Sequence, residues 1–133
     1  MGIALGNLGD TLFRLGRLDS AQDALEEAIP LCDSHVPIAC GYFRSCLAVI
    51  LARKRQYEEA LALLEKGEVQ VRCIPEEYGK FLCRKSQVFL AIGQMDSARE
   101  ALVLANDIAR ELTLTRSNEL QTMIEEISAS LGN

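Results

Sequence analysis

Tryptophan is absent from this chain of 133 residues, histidine occurs once, proline three times, and aromatic residues make up 5%. So little proline, set against many Ala, Leu, Glu and Arg residues, favours helix over strand. The one histidine, His35, does not stand at ligand spacing from a cysteine pair, so no zinc site is expected. No apolar run approaches the roughly 20 residues that a membrane-crossing helix needs. Nor does a basic segment followed by an apolar stretch open the chain, so no secretory signal is expected. A Gly-rich phosphate loop, a nucleophile–base pair and a metal-ligand cluster are all missing, which removes the usual signatures of catalysis. The chain therefore reads as non-enzymatic, with no cofactor and no metal. A net charge of −5, and three tyrosines without interleaved basic residues, argue against nucleic acid. The five cysteines are an odd number with no C-x-x-C pair, as expected of reduced, mostly buried thiols in a cytoplasmic protein.

What the chain does have is repetition. With 49% apolar and 25% charged residues it can bury the core of a single domain without cross-links. The phrase GRLDSAQDALEEA (16–28) returns as GQMDSAREALVLA (93–105), and VPIACGYF (36–43) returns as IPEEYGKF (74–81). Three stripes recur at helical spacing: Leu18, Ala21, Ala24, Leu25, Ala28, Ile29 and Cys32; Tyr57, Ala60, Leu63, Leu64, Gly67 and Val71; Met95, Ala98, Ala101, Leu102, Ala105, Ala109 and Leu112. The anchoring alanines 21, 60 and 98 lie 39 and 38 residues apart, a period that predicts stacked supersecondary units. Pro37 and Pro75 each open a helix, over about 37–54 and 75–92. Gly16 and Gly93 mark tight turns, with Asp19 and Asp96 as N-caps of the helices that follow. Each unit is thus a helix A, a tight turn and a helix B. The expected units are 1–35, 36–73 and 74–112, in an all-α solenoid closed by an amphipathic capping helix over 115–131 that carries Leu120, Met123, Ile124, Ile127 and Leu131. Residues 1–15 fit a helix A whose opening proline would precede Met1, so the chain is expected to belong to a longer protein.

These residues resemble the tetratricopeptide repeat family. The first unit reads Leu5-x-x-Leu8-Gly9-x-x-Leu12, then Ala21-x-x-x-Leu25-x-x-Ala28, and the second gives Leu47-Ala48-x-x-Leu51, then Tyr57, Ala60 and Leu64. In the third unit Lys85-Ser86 fills the family's Leu-Gly slot, while helix B matches well. The 38–39 residue period is similar to the longer-helix variants of kinesin light chains and bacterial regulators. The resemblance implies a non-catalytic scaffold whose A helices line a concave groove for a partner's peptide segment. Its groove-facing positions would be Asn7, Asp10, Phe13 and Arg14 in unit one, with Ile3 and Gly6 beside them. Unit two would supply Tyr42, Ser45, Cys46, Val49 and Arg53, and unit three Lys80, Arg84 and Gln87, with Cys83. ALGNLG (4–9) is similar to the phrase whose Asn, here Asn7, bonds a bound peptide backbone. Of the family's carboxylate clamp only Lys80 and Arg84 match, since Gly6, Asp10 and Cys46 occupy the other three positions.

Charge sorts by helix. The A segments (1–17, 36–55, 74–93) carry nine Lys/Arg and three Asp/Glu, the B segments (18–35, 56–73, 94–112) four and thirteen. Two readings account for this: weak A-to-B salt bridges on a solvated surface, or a positive groove that favours an acidic peptide. The function expected is a protein-binding scaffold. The alternative is a structural or regulatory segment that packs intramolecularly or self-associates through an open N-terminal repeat face bearing Ile3 and Leu5.

Overall fold

The computed structural model describes residues 1–113 and 118–132. Seven helices run through them: α1 (Gly2–Arg14), α2 (Leu18–Cys32), α3 (Pro37–Arg53), α4 (Tyr57–Val71), α5 (Pro75–Ile92), α6 (Met95–Leu112) and α7 (Asn118–Ser130). No strand accompanies them among the described residues. Helices α1–α2, α3–α4 and α5–α6 form three hairpins, stacked so that α3 packs on α1, α2, α4 and α5, and α7 closes the stack on α5 and α6. The expected capping helix is therefore present from 118; residues 114–117, where it was expected to begin, lie outside the described residues.

The three hairpin turns are one device used three times. Gly16 and Gly93 take a left-handed backbone (φ 79° and 92°), and Arg55 holds the same position in the middle hairpin at φ 67°. The next residue closes the outgoing helix through a bond from its N–H to the carbonyl five residues back: Arg17 to Leu12 at 2.9 Å, Gln56 to Leu51 at 2.8 Å, Gln94 to Phe89 at 2.9 Å. The carbonyls of those same residues accept the first bonds of the incoming helices, from Ala21, Ala60 and Ala98. One residue thus ends a helix and begins its partner. That economy corrects the capping assignment: Asp19 and Asp96 are the second residues of α2 and α6, and no side chain caps either helix. Inside the first turn their charge still favours the helix N-terminus, and Asp19 accepts a bond from Lys54 at 2.6 Å.

Packing follows the stripes. Ala21, Ala60, Ala98 and Ala105 are fully buried, and their small side chains let the B helices lie close against the A helices. One hydrophobic cluster joins α1 to α5 around Leu25, Ile50 and Phe81, and a second joins α5, α6 and α7 around Leu82, Leu102 and Leu120. Large side chains buried in this way each stabilise the fold by roughly 1.5–3 kcal/mol. Helix α3 departs from amphipathicity altogether, because every residue from Cys40 to Ala52 is buried. Four neighbouring helices leave it no solvent face.

Candidate binding face

Three A helices and α7 converge on the inner side of the stack. At its centre lies Asp10 of α1, a carboxylate buried among groups from three helices. Arg14 donates to it at 2.7 Å and Arg84 of α5 at 3.4 Å. The Tyr42 hydroxyl of α3 lies 3.4 Å from both carboxylate oxygens, and the Cys46 thiol donates toward one of them at 3.6 Å. Arg84 also donates to the Tyr42 hydroxyl at 3.2 Å and to Gln87 at 2.9 Å. Its side chain is only 6% exposed, and its Nε has no hydrogen-bond partner. Burial holds the Tyr42 hydroxyl well above the ordinary tyrosine pKa and pushes the Cys46 thiol up to about 11, so both remain protonated donors at neutral pH.

Phe13 supplies an aromatic platform beside this network. The guanidinium of Arg84 lies 4.9 Å from its ring centroid and that of Arg53 5.2 Å, within cation–π range. Lys80 lies 5.4 Å from the Tyr42 ring centroid and pairs with Glu77 at 3.2 Å. Arg53 has no carboxylate against it among the described residues. Its pKa is lowered, first by burial and then by the like charge of Arg84. Two adjoining clefts open here. One of about 220 Å³ is lined by Arg14, Arg84, Gln87, Thr122, Met123, Glu126 and Ile127. The other, of about 320 Å³, is lined by Arg53, Gln87, Leu90, Ala91, Ile127 and Ser130.

The basic A helices divide into two groups. Arg44 bonds Asp33 through both terminal nitrogens at 2.7 and 2.9 Å, Lys54 pairs with Asp19 at 2.6 Å, and Lys85 with Glu68 at 2.8 Å. These three neutralise carboxylates on or beside B helices. Arg14, Arg53 and Arg84 stand on the inner side, where Asp10 belongs to the network and Glu126 lines one cleft.

Two family models match the chain, each described as tetratricopeptide repeat, over residues 3–34 and 43–67. The chain contains tetratricopeptide repeats. The third hairpin, α5–α6, reproduces the helix–turn–helix of the matched ones without falling in either match. No curated protein and no solved structure matches the chain. Repeats of this family generally mediate protein–protein interaction and are typically non-catalytic. No helix among the described residues is long and apolar enough to cross a membrane.

The repeats bring most of the expected groove residues together but bury many of them. Asn7, Arg14 and Arg53 are exposed, Lys80 and Gln87 half-buried. Phe13, Tyr42, Ser45, Cys46, Val49, Cys83 and Arg84 are interior, as is Asp10, so a ligand on this face would not rest on them as a surface. Ser45 turns its hydroxyl to the Tyr42 carbonyl at 2.5 Å, and Val49 belongs to the main core cluster. Gly6 is a packing position: a Cβ there would stand 2.1 Å from the Phe43 ring. The inner face narrows because α1, α3 and α5 approach closely enough for Asp10 to meet Arg84, 74 residues away. Sequence reasoning missed the α7 wall. Steps of 38 and 39 residues from Arg84 and Gln87 land on Thr122 and Glu126, so the period itself carried that signal.

Proposed function

We propose that this chain is a non-catalytic scaffold that holds a peptide segment of a protein partner along its inner face, and that the segment is acidic. The observation that carries this reading is Arg53, an exposed guanidinium beside Arg84 with no carboxylate against it among the described residues and a cleft at its side. A cation held over an aromatic ring with no counter-charge among the described residues is a preorganised site for a carboxylate side chain, the more so beside the buried positive charge of Arg84. Asn7, exposed on the Asp10–Arg14 side of α1, offers an amide that donates and accepts to a peptide backbone. Arg14, Lys80 and Gln87 border the same path, and Asp10, Phe13, Tyr42, Ser45, Cys46, Val49 and Arg84 serve beneath it as support.

A panel of fluorescent decapeptides of equal length, Glu-rich against Lys-rich, titrated by anisotropy, tests the reading. The acidic set is expected to bind with an affinity that falls as salt rises. Arg53→Glu should weaken it about tenfold or more, equal to about 1.4 kcal/mol, with the helical circular dichroism signal intact. Equal binding of both sets, or an Arg53→Glu chain that binds as before, rejects it.

A second reading rests on the outer side of α1, where Leu8 is 50% and Leu15 66% exposed. Two large apolar side chains on that first helix suit another repeat or a second copy of the chain. Sedimentation velocity across a concentration series decides it: self-association that Leu8→Glu abolishes supports this reading, and a monomer at every concentration rejects self-association.

A further inference from the structure

Two of the five thiols form a pair. Cys32 ends α2, Cys40 lies in the first turn of α3, and residues 33–39 cross between them from the first hairpin to the second. Their Sγ atoms are 2.6 Å apart. That is closer than non-bonded heavy atoms settle, and about 0.6 Å beyond the roughly 2.0 Å of a disulfide bond. Cys40 also points at the Ile29 carbonyl, 3.2 Å away, which holds its sulfur against the end of α2. From the other side the crossing is held by Asp33, which accepts from Arg44 and, at 2.9 Å, from Gln70. The remaining cysteines are differently placed. Cys46 turns to Asp10, Cys83 is buried on α5, and Cys73 is exposed.

Both paired thiols are sealed, at 2% and 0% exposure. The first turn of α1 packs over Cys32 and is its lid: a Cβ on Gly2 would stand 3.0 Å from the Cys32 Cβ. That turn has no side-chain cap and no acidic residue to favour its N-terminus, so it is a weak point for local opening.

We infer that Cys32 and Cys40 are a redox pair that closes to an intramolecular disulfide, with a small organic disulfide, RSSR, as electron acceptor. Opening of the lid lets one cysteine lose its proton and attack the acceptor. A protein–sulfur to RS bond forms, and the acceptor's S–S bond breaks, releasing RS⁻. The second cysteine, deprotonated in turn, attacks the protein sulfur of that mixed disulfide. The Cys32–Cys40 bond forms and the second RS⁻ leaves. The two thiol protons end on two RSH molecules, and two electrons pass from the protein to the acceptor. While the fold is closed Cys40 is a poor nucleophile, because burial, followed by the neighbouring Cys32, pushes it up to about 12. Once formed, the bond staples the end of α2 to the start of α3 and fixes the junction between the first two repeats.

The experiment uses the whole chain carrying Cys73→Ser, which removes the exposed thiol. It is incubated under native conditions with glutathione disulfide, alkylated in denaturant and cut with trypsin. Residues 18–44 form one tryptic peptide, which contains Cys32 and Cys40 and no other cysteine. That peptide is expected to be lighter by two hydrogens and closed to alkylation, while Cys46 and Cys83 alkylate fully. The thermal midpoint should rise by several degrees and return on addition of dithiothreitol. Peptide 18–44 with both thiols free, with glutathione adducts and no internal bond, or with bonds scrambled to Cys46 or Cys83, overturns the inference. A specific cross-link with an unchanged midpoint overturns the staple.

Discussion

Arg55 carries a backbone conformation that its two counterparts, Gly16 and Gly93, adopt without strain. A side chain in the left-handed region costs about 1–2 kcal/mol, and part of that gain is lost to glycine's freer unfolded chain. Arg55→Gly should therefore stabilise the fold by about 0.5–1 kcal/mol, and Gly93→Ala should destabilise it by a similar amount, read from urea midpoints. Asp10 carries a different kind of burden, since one buried carboxylate faces both Arg14 and Arg84. Asp10→Asn would leave Arg84 charged, buried and uncompensated, at a cost of about 3 kcal/mol in the same assay. Asp33 responds to pH. Hydrogen bonds from Arg44, then Gln70, hold its carboxyl far below the usual 3.8. A depressed folded-state pKa gives stability that is complete above the unfolded value and disappears as pH falls below it. The stability gap between the native chain and Asp33→Asn should thus be constant from about pH 7 to 5 and shrink from about pH 4 downwards.

At the scale of elements, the B helices and α7 could be read from the chain because each has one buried side and one wet one. Leu25, Ala60, Ala98 and Leu120 sit where the period put them. Leu120→Ala should cost about 3 kcal/mol, measured by denaturation, since its fully buried side chain joins α7 to the second cluster. The A helices were harder to read, for a physical reason. Polar residues such as Arg84 and Ser45 normally face water, and a single hairpin gives no hint that two more will fold over them. Helix α3 has no stripe to read, because four neighbours bury it on all sides. The burial of Tyr42 and Cys46 depends on α1 meeting α5, a relation between units that no spacing within one unit encodes. The turns were half legible: glycine announced two of them, and Arg55 hid the third.

Across the whole molecule, repeat arrays hold together through neighbours alone, and their stability is close to a sum of local terms. The bond between Asp10 and Arg84 breaks that pattern, since it joins the first hairpin to the third past the second. Unfolding followed by circular dichroism and by alkylation of buried Cys46 and Cys83 should give one coincident transition, which Asp10→Asn should separate into two. A stack joined only by neighbours stretches like a coil spring, each turn yielding a little. With its inner edge tied from end to end, this one is a braced arch that resists flattening until the tie gives way. Pulled between the first and third hairpins in an optical trap, the native chain should lengthen in a single step, and the Asp10→Asn chain by gradual extension.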